Sequence, residues 1–379
     1  MSYLNKRDYK QVEIEDLMEG MELKTEVVNR YGNVLLPEGM VLQDIEKVKQ
    51  LLDLHNIRSV RVKVDNSINT SFLDDLIRPD EYIDSDELEE LQLNMEVENF
   101  KADLSEVKEE LQANFEKILK GETVEQSEFQ DNIKKILEIF KGSLNVFQLL
   151  ERMKNYDDLT YAHSQNVALI SYAIGKWLDL SQEQLTDLTL SGLLLDIGKM
   201  QVPVELLNKR EKLTHDEILE CQKHAIYGHQ LIKNYSFVSE VVKQTVLLHH
   251  ERMDGSGYPM GLKGDKIPLL ARILAIADVY NALTSERPYR EKKTPFNAIK
   301  IMEQEYVEKL DAKILYIFLQ RIGNCFIGQT VELSNGSVGK IIFIPKQNLY
   351  RPIIQIKNSD TILDLSQPAN KDIEIIDFK

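Results

Sequence analysis

The sequence predicts a mainly helical protein that carries a small α+β module at its N-terminus and a small β-rich unit at its C-terminus. Three observations lead to this fold class. Apolar residues recur at helical spacing through the middle of the chain, apolar and polar residues alternate mainly near the two ends, and tight-turn sequences accompany those alternations. We place an α+β module at residues 1–70, an acidic helical linker at 71–140, a helical domain at 141–322 and a β-rich unit at 323–379.

The N-terminal module shows both strand and helix signals between residues 17 and 64. Short apolar runs flank a predicted turn at residues 31–33, a helix is predicted around residues 42–54, and valines alternate from residue 60 to residue 64. No paired acid, base or nucleophile occurs here. We interpret the module as regulatory or docking.

A charged helix with a narrow apolar stripe is predicted between Asp84 and Lys120. The stripe consists of Val97, Phe100, Leu104, Val107, Leu111 and Phe115, at alternating steps of three and four residues. A second helix is predicted from Ser127 to Phe140. Two interpretations of the stripe stay open: a homodimer formed through the 84–120 helix, or a helix packed on its own chain.

The helical domain and the β-rich unit follow. One helix start is marked by the capping box from Thr214 to Glu217, in which side chains and backbone amides bond reciprocally. After residue 323 strands are predicted at 330–333, 339–344 and 352–356, and Asn335-Gly336 marks a tight turn between the first two.

Composition restricts the class of protein. The chain has 379 residues, enough for two or three domains, and no apolar run approaches the ~20 residues that span a bilayer. The N-terminus lacks a signal-peptide core, so we expect a cytoplasmic protein without a membrane partner. The two cysteines, Cys221 and Cys325, lack CxxC partners, so neither a disulfide framework nor a thiolate zinc site is predicted.

The net charge of −16 is unevenly distributed along the chain. Residues 71–110 hold fifteen Asp and Glu against three Lys and Arg, whereas residues 141–323 hold twenty-three of each. The helical domain is therefore electrically balanced and compatible with an anionic ligand. No basic stripe interleaved with aromatic residues occurs, so we expect no nucleic-acid polymer as a partner.

Histidines cluster in the helical domain. Six of the seven lie between residues 163 and 250, and Asp196 and Asp278 lie in or near the same stretch. Imidazole nitrogens and carboxylate oxygens suit divalent ions such as iron, manganese and zinc. A set of histidines and aspartates without thiolates favours a catalytic metal site over a structural one.

The most specific motif begins at His249. Residues 249–259 match HHExxDGxGYP at every defined position, and further matching blocks are His163, His224, and the segments 195–199, 277–284 and 287–290. Over roughly residues 140–320 the chain resembles the HD-GYP family of bacterial cyclic di-GMP phosphodiesterases, a branch of the HD hydrolase superfamily.

The resemblance implies an HD-type helical bundle, two divalent metal ions (iron or manganese) and hydrolysis of cyclic di-GMP to pGpG or GMP by metal-bound hydroxide. It implies a bridging carboxylate at Asp196, one metal held by His163 and Asp278, and a second held by His224, His249 and His250. Lys199, Arg287 and Arg290 match positions that contact the substrate phosphates, and Tyr258 is available for contact with the substrate. Asp196 and Lys199 are the residues to which we assign catalysis.

One position departs from the family pattern, because Leu195 stands where the family has the histidine of its His-Asp pair. Its loss removes one imidazole from the metal site of His163 and Asp278. Three functions stay open: an active phosphodiesterase, a cyclic di-GMP sensor that binds without cutting, and a signalling scaffold. We favour the enzyme, because the other ligand and phosphate-binding positions are intact. We expect Leu195→His to raise metal occupancy and turnover.

Overall fold

The computed structural model of the protein has two compact units, residues 1–84 and residues 85–379. The residues that it describes are 9–14, 17–18, 20–25, 27–28, 34–36, 39–42, 45, 48–49, 52, 57–63, 85–142, 146–153, 159–209, 211–285, 293–359 and 361–379. Each unit has a hydrophobic core of its own.

The N-terminal unit contains two small antiparallel pairs of strands. Strand β1 (Tyr9–Glu13) pairs with β4 (Ser59–Lys63), and β2 (Val27–Val28) pairs with β3 (Val34–Leu36). Val60 and Val62 are buried and their neighbours in β4 are not, which confirms the predicted alternation for these two valines. Val64, the third valine of the pattern, lies outside the described residues. The predicted turn at residues 31–33 and most of the predicted helix at 42–54 lie outside the described residues.

The second unit is dominated by helices, which confirms the predicted fold class. Its helices are α1 (Ser85–Leu119), α2 (Gln126–Gly142), α3 (Val146–Arg152), α4 (Leu159–Trp177), α5 (Gln182–Leu194), α6 (Val204–Leu207), α7 (His215–Gln222), α8 (His224–Ile232), α9 (Glu240–Leu248), α10 (Leu269–Thr284), α11 (Pro295–Glu305) and α12 (Ala312–Asn324). A 3-10 turn over Ile197–Gln201 joins α5 to α6. Within the described ranges, no helix has both the length and the apolar character needed to cross a membrane.

The apolar stripe of α1 is buried within its own chain. All six stripe residues are at most 6% exposed and share a core with residues of α2, α4, α5 and α9. This supports the second interpretation, a helix packed on its own chain. The stripe is therefore occupied within the chain, and a homodimer through the 84–120 helix stays a prediction.

The capping box at the start of α7 is confirmed. Glu217 accepts a hydrogen bond from the Thr214 backbone amide at 2.7 Å, and the Thr214 hydroxyl accepts one from the Glu217 amide at 3.4 Å. Helix α7 has no buried residue, so this local bonding defines where it begins.

A five-stranded antiparallel sheet follows α12, in the order β8-β7-β6-β5-β9. The strands are β5 (Thr330–Leu333), β6 (Val338–Phe343), β7 (Ile353–Ile356), β8 (Ile362–Asp364) and β9 (Ile375–Phe378). The turn predicted at Asn335-Gly336 joins β5 to β6, and Gly336 adopts the positive φ of +82° that such a turn favours. The sheet shares a core with α4, α10 and α12. Val331 and Ile354 belong to the same hydrophobic cluster as Ile170, Leu274 and Phe318.

Candidate metal centre

Six of the predicted site residues come from five different places in the helical part of the chain. They are His163 in α4, Asp196 at the start of the 3-10 turn, His224 at the start of α8, His249 and His250 directly after α9, and Asp278 in α10. Side-chain exposure is at most 18% for all six. Residues more than 100 positions apart in sequence are thereby brought to one buried site.

A glycine contact brings the 3-10 turn against α8. A Cβ atom on Gly198 would lie only 2.0 Å from the carbonyl oxygen of His224 and 2.3 Å from the amide nitrogen of Gly228. No larger residue fits there without moving backbone. The close approach places Asp196 and Lys199, at the two sides of Gly198, beside His224.

Three imidazoles converge on one point, and we call them the histidine trio: His224, His249 and His250. The Nε2 atom of His224 lies 3.5 Å from that of His249 and 3.1 Å from that of His250. The Nδ1 atoms of His224 and His249 donate to the backbone carbonyls of Cys221 at 2.8 Å and Val246 at 2.7 Å. Since a neutral imidazole holds one proton, both Nε2 atoms present lone pairs to the common point.

The trio fits a divalent cation. Each ring offers one ligand atom, and the three atoms lie within 4.8 Å of one another. Burial lowers the pKa of His224, and burial together with the electrostatic interaction with His224 lowers that of His249 to about 4. Burial also holds the pKa of His250 well below its usual range. All three rings are therefore neutral near pH 7, as metal ligation requires.

We call His163, Asp196 and Asp278 the aspartate half of the site. Asp196 Oδ2 lies 3.7 Å from His163 Nε2 and 2.6 Å from Lys199 Nζ, while Oδ1 lies 3.6 Å from His224 Nε2. Burial alone raises the pKa of Asp196, but electrostatic interactions with Lys199 and the neighbouring histidines outweigh it and hold the pKa below its usual range. Asp196 is therefore a carboxylate that faces both parts of the site.

Asp278 also reaches both parts of the site. Its Oδ1 atom lies 3.1 Å from His163 Nε2, and its Oδ2 atom lies 3.7 Å from His250 Nδ1. Burial raises the pKa of Asp278, but the hydrogen bond from His163 and electrostatic interactions with His163 and His249 outweigh this effect and lower the pKa to about 2. The two carboxylates thus join the trio to His163.

The loop of the GYP motif is tied to the site by Glu251. Its two carboxylate oxygens accept hydrogen bonds from the backbone amides of Met260 at 2.7 Å and Leu262 at 2.8 Å, and the residue is 2% exposed. The loop in turn stacks Tyr258 on His250, with ring centroids 4.6 Å apart and planes 27° apart. Glu251 therefore stabilises the loop, and Tyr258 positions one ring of the trio.

Leu195 lies directly before Asp196 and is 1% exposed. It packs in the hydrophobic cluster that also contains Ile170 and Leu274. A leucine offers no metal ligand, so the aspartate half has a single imidazole, from His163, within the described part of the chain.

The structure therefore brings together eight of the ten predicted site residues. These are His163, Asp196, Lys199, His224, His249, His250, Tyr258 and Asp278. Arg287 and Arg290 lie outside the described residues, so their contact with phosphate stays a prediction.

One residue that the sequence analysis missed contacts the site directly. Asn281 is 3% exposed, and its side-chain amide nitrogen lies 2.7 Å from His163 Nδ1. It follows Asp278 by three positions on α10, hence on the same face of the helix. That spacing is the signal that could have found it.

Comparison with known proteins bears on this site. The HD domain family matches residues 148–314. The cyclic di-GMP phosphodiesterase PA4108 of Pseudomonas aeruginosa is 34% identical over 236 residues, which cover 62% of this chain and 57% of that protein. The 3'3'-cGAMP-specific phosphodiesterase 1 of Vibrio cholerae is 41% identical over 165 residues, 42% of this chain and 37% of that protein. The chain thus spans little more than half of the first of these relatives and less of the second.

A solved structure shows a similar fold. It is Bd1817, a HDG"Y"P protein from Bdellovibrio bacteriovorus, which is 17% identical, with a TM-score of 0.51 over 83% of this chain and 99% of that one. Residues 148–314 therefore resemble the HD domain family in sequence, and the buried histidines and aspartates described above lie within this matched range. Within that family, the resemblance to the HD-GYP type, predicted from the motif at His249, is confirmed.

Proposed function

We propose that this protein is a metal-dependent phosphodiesterase that hydrolyses a cyclic dinucleotide, with cyclic di-GMP as the substrate. The observation that carries the proposal is the convergence of the histidine trio with two buried carboxylates that reach across to His163. The relatives named cyclic di-GMP and 3'3'-cGAMP phosphodiesterases support the substrate class. A second substrate to be tested is therefore 3'3'-cGAMP.

The proposed site holds two divalent ions, iron or manganese. The histidine trio would hold one, and the aspartate half would hold the other, with Asp196 shared between them because its two oxygens face opposite parts of the site. Nitrogen and oxygen ligands suit these ions. When bound, a pair of divalent ions activates a water molecule and neutralises charge on the scissile phosphate.

Lys199 is the residue that we assign to the phosphate in the described part of the site. Its ammonium lies 2.6 Å from Asp196 Oδ2, and its side chain is 26% exposed. It can therefore donate to a phosphate oxygen that enters from solvent while it stays beside the carboxylate. Arg287 and Arg290, a few positions beyond the end of α10, would add planar guanidinium donors to the same phosphates.

The proposed reaction adds water to a phosphorus of the ring and breaks its bond to the ribose 3' oxygen, which leaves with a proton. Cleavage of one diester gives the linear dinucleotide pGpG, and cleavage of the second gives GMP. The site residues hold the phosphate and the charged groups in place, so that little reorganisation accompanies the reaction.

Leu195 favours a second candidate, a sensor that binds cyclic di-GMP without cutting it. The aspartate half has one imidazole and two carboxylates, so an ion there would depend on solvent and substrate for its remaining ligands. A site that fills only at the histidine trio would retain Lys199 and could bind phosphate. If the protein is such a sensor, cyclic di-GMP binds and no phosphodiester bond is cleaved.

Anaerobic turnover of cyclic di-GMP and 3'3'-cGAMP, with iron, manganese or no added metal, tests the proposal, together with calorimetric binding of each ligand. The matched variants are Asp196→Asn, in the site, and Asp131→Asn, on the exposed face of α2. We expect hydrolysis by the native chain and by Asp131→Asn, and at least about 10³-fold less by Asp196→Asn, which corresponds to about 4 kcal/mol.

Two results would replace or overturn the proposal. Binding without turnover under every metal condition would make the protein a sensor. If neither ligand is bound or cleaved, the proposed substrate class is wrong.

A further inference from the structure

Helix α4 has the metal centre on one side and α1 on the other. His163 lies beside Asp196 and Asp278, whereas Gln165, two positions later, contacts α1. Two positions turn an α-helix by about 200°, so the side chains of His163 and Gln165 point in nearly opposite directions. A movement of α4 against α1 therefore also moves His163 relative to the two carboxylates.

A buried hydrogen bond joins α4 to α1. The side-chain amide nitrogen of Gln165 donates to the backbone carbonyl of Leu104, within α1, at 2.7 Å, and Gln165 is fully buried. A carbonyl oxygen has two lone pairs, so that of Leu104 can accept this bond as well as one within its own helix. Leu104 and Leu169, one turn after Gln165, belong to the same hydrophobic cluster. The amide of Gln165 thus makes a polar contact inside a hydrophobic interface.

The amide of Gln165 adds specificity to this interface more than stability. Its oxygen atom is buried and has no hydrogen-bond partner among the residues that the structure describes. An unpaired buried polar atom costs at least as much stability as one hydrogen bond contributes. The amide does add direction, because it reaches the Leu104 carbonyl at only one rotation and one height of α4 against α1. A buried asparagine fixes the register of a coiled coil in the same way.

Helix α1 lies outside residues 148–314, the range that matches the HD domain family. It nevertheless contacts α4 at a second point, where the rings of Phe115 and Tyr161 lie with their centroids 5.6 Å apart. Tyr161 and Gln165 are four positions apart and therefore lie on the same face of α4. The helix that carries His163 is thus supported by a segment that the family comparison does not include.

We propose that Gln165 is a positioning residue, which places His163 for metal binding by the aspartate half through its bond to Leu104 on α1. A metal ligand must lie within about 0.5 Å of its productive position, and His163 supplies the single imidazole of that half. The histidine trio comes from α8 and the end of α9, so its affinity for an ion does not depend on this bond. The inference rests on the proposed assignment of His163 as a metal ligand.

Two substitutions separate positioning from packing. Gln165→Met keeps the length of the side chain and removes both the donor and the unpaired oxygen. We expect it to lower the affinity for the second manganese ion about 10-fold and to leave the free energy of unfolding nearly unchanged. Leu111→Ala, about two turns from Leu104 in the same buried stripe, creates a cavity and keeps the bond. It should lower the melting temperature and leave the affinity for the second ion unchanged.

Ser171→Ala is the matched control on α4 itself. The Ser171 hydroxyl is buried and, like the oxygen of Gln165, has no hydrogen-bond partner in the described part of the chain. Its removal deletes a buried polar atom from the same helix and leaves the bond to Leu104 intact, so metal affinity should match that of the native chain. If Ser171→Ala or Leu111→Ala weakens the second ion as much as Gln165→Met does, Gln165 has only a packing role.

The coupling must also act in the opposite direction, because two linked equilibria change each other by the same factor. Binding of the second ion should therefore slow hydrogen exchange of the α1 backbone amides around Leu104, by the same factor of about 10. The first ion, bound by the trio, should not slow it. In Gln165→Met the second ion should have no such effect.

Both measurements use the full chain, freed of metal by chelation and titrated with manganese under anaerobic conditions. Calorimetry gives the affinity for each ion, and mass spectrometry follows hydrogen exchange. Equal affinity for the second ion in Gln165→Met and the native chain would overturn the inference. So would exchange in α1 that the second ion does not change, a result that needs only the native chain if Gln165→Met does not fold.

The outcomes also separate this inference from the proposed function. A native chain that binds a single manganese ion would overturn both the inference and the two-ion site. Neither measurement requires turnover. A selective loss of the second ion in Gln165→Met, in a protein that cleaves no cyclic dinucleotide, would therefore refute the proposed function and leave this inference standing.

Discussion

The two parts of the site are held in place by different means. In the histidine trio, His224 and His249 are fixed by backbone carbonyls at the ends of helices, whose positions do not depend on any side chain. In the aspartate half, His163 is held by Asn281 and Asp278, and Asp196 is held by Lys199. The first arrangement presets lone pairs for an ion, whereas in the second the partners are themselves side chains.

This difference leads us to expect unequal metal affinities. The trio supplies three neutral imidazoles, whereas the aspartate half supplies one imidazole and two carboxylates beside a leucine. A preorganised site loses less free energy to rearrangement when it binds. We therefore expect the trio to fill first and the aspartate half to limit activity.

The largest expected effect is the loss of metal binding when a histidine of the trio is replaced, compared with replacement of the histidine of the aspartate half. His249→Gln removes a preset ligand, so we expect tight metal binding to be lost, by about 10³-fold in affinity or about 4 kcal/mol. His163→Gln should leave one tightly bound ion per chain. Metal content after dialysis, measured by mass spectrometry, checks both variants, and equal losses in the two would contradict the comparison.

The buried histidines should make the metal-free protein sensitive to acid. The pKa of His249 is about 4 in the folded chain, against 6.5 for an exposed histidine, so only the unfolded chain takes up a proton between these values. The contribution of His249 to the free energy of unfolding is complete above pH 6.5. It is lost as the pH falls toward 4, and the loss is at most about 3 kcal/mol. Urea unfolding across this range measures it, and His249→Gln should show a shallower loss. An equally steep loss in that variant would exclude His249 as the cause.

Leu195→His tests whether the missing imidazole weakens the aspartate half. We expect a rise of about 10-fold in affinity for the second ion and a rise in turnover, since a further nitrogen replaces solvent. The same change puts a polar ring into a packed core and should lower the stability of the metal-free protein by about 1–3 kcal/mol. Leu195→Met, which keeps the apolar volume, is the control for packing. A gain in Leu195→Met as large as in Leu195→His would show that the imidazole is not responsible.

The smallest expected effect concerns the loop that supports the trio. Glu251→Gln keeps one oxygen acceptor and places an amide nitrogen against the other backbone amide, so we expect a loss of about 1 kcal/mol in stability. Thermal unfolding measures it, with the exposed Glu211→Gln as control. Because the loop carries Tyr258 against His250, metal affinity of the trio should weaken while that of the aspartate half does not. An unchanged melting temperature would show that the two bonds to Glu251 contribute little.

Much of this architecture could be predicted from the sequence, since helical spacing and the motif at His249 are local signals. Helices α1 and α2 begin and end within two residues of the predicted positions. The partner of the α1 stripe could not be predicted, because heptad spacing is the same for a dimer and for a helix packed on its own chain. Strands β8 and β9 were missed because each contributes only a few apolar residues between polar ones.

Within the site, the sequence indicates which side chains can bind metal but does not specify their tautomers. The carbonyls of Cys221 and Val246 act through backbone geometry, which leaves no trace in residue type. Asn281 was missed because imidazoles and carboxylates are the more usual ligands of iron and zinc, although its spacing from Asp278 places it on the same helical face. The hydrogen-bond partners of the imidazoles distinguish the two parts of the site. They are therefore visible only in the structure.

The most direct test of the account is to add manganese stepwise to the metal-free protein under anaerobic conditions and follow hydrolysis of cyclic di-GMP at each step. If the trio fills first and both parts are needed, the first equivalent gives little turnover and activity rises with the second. Full activity after one equivalent would contradict the account, because a single ion would then suffice.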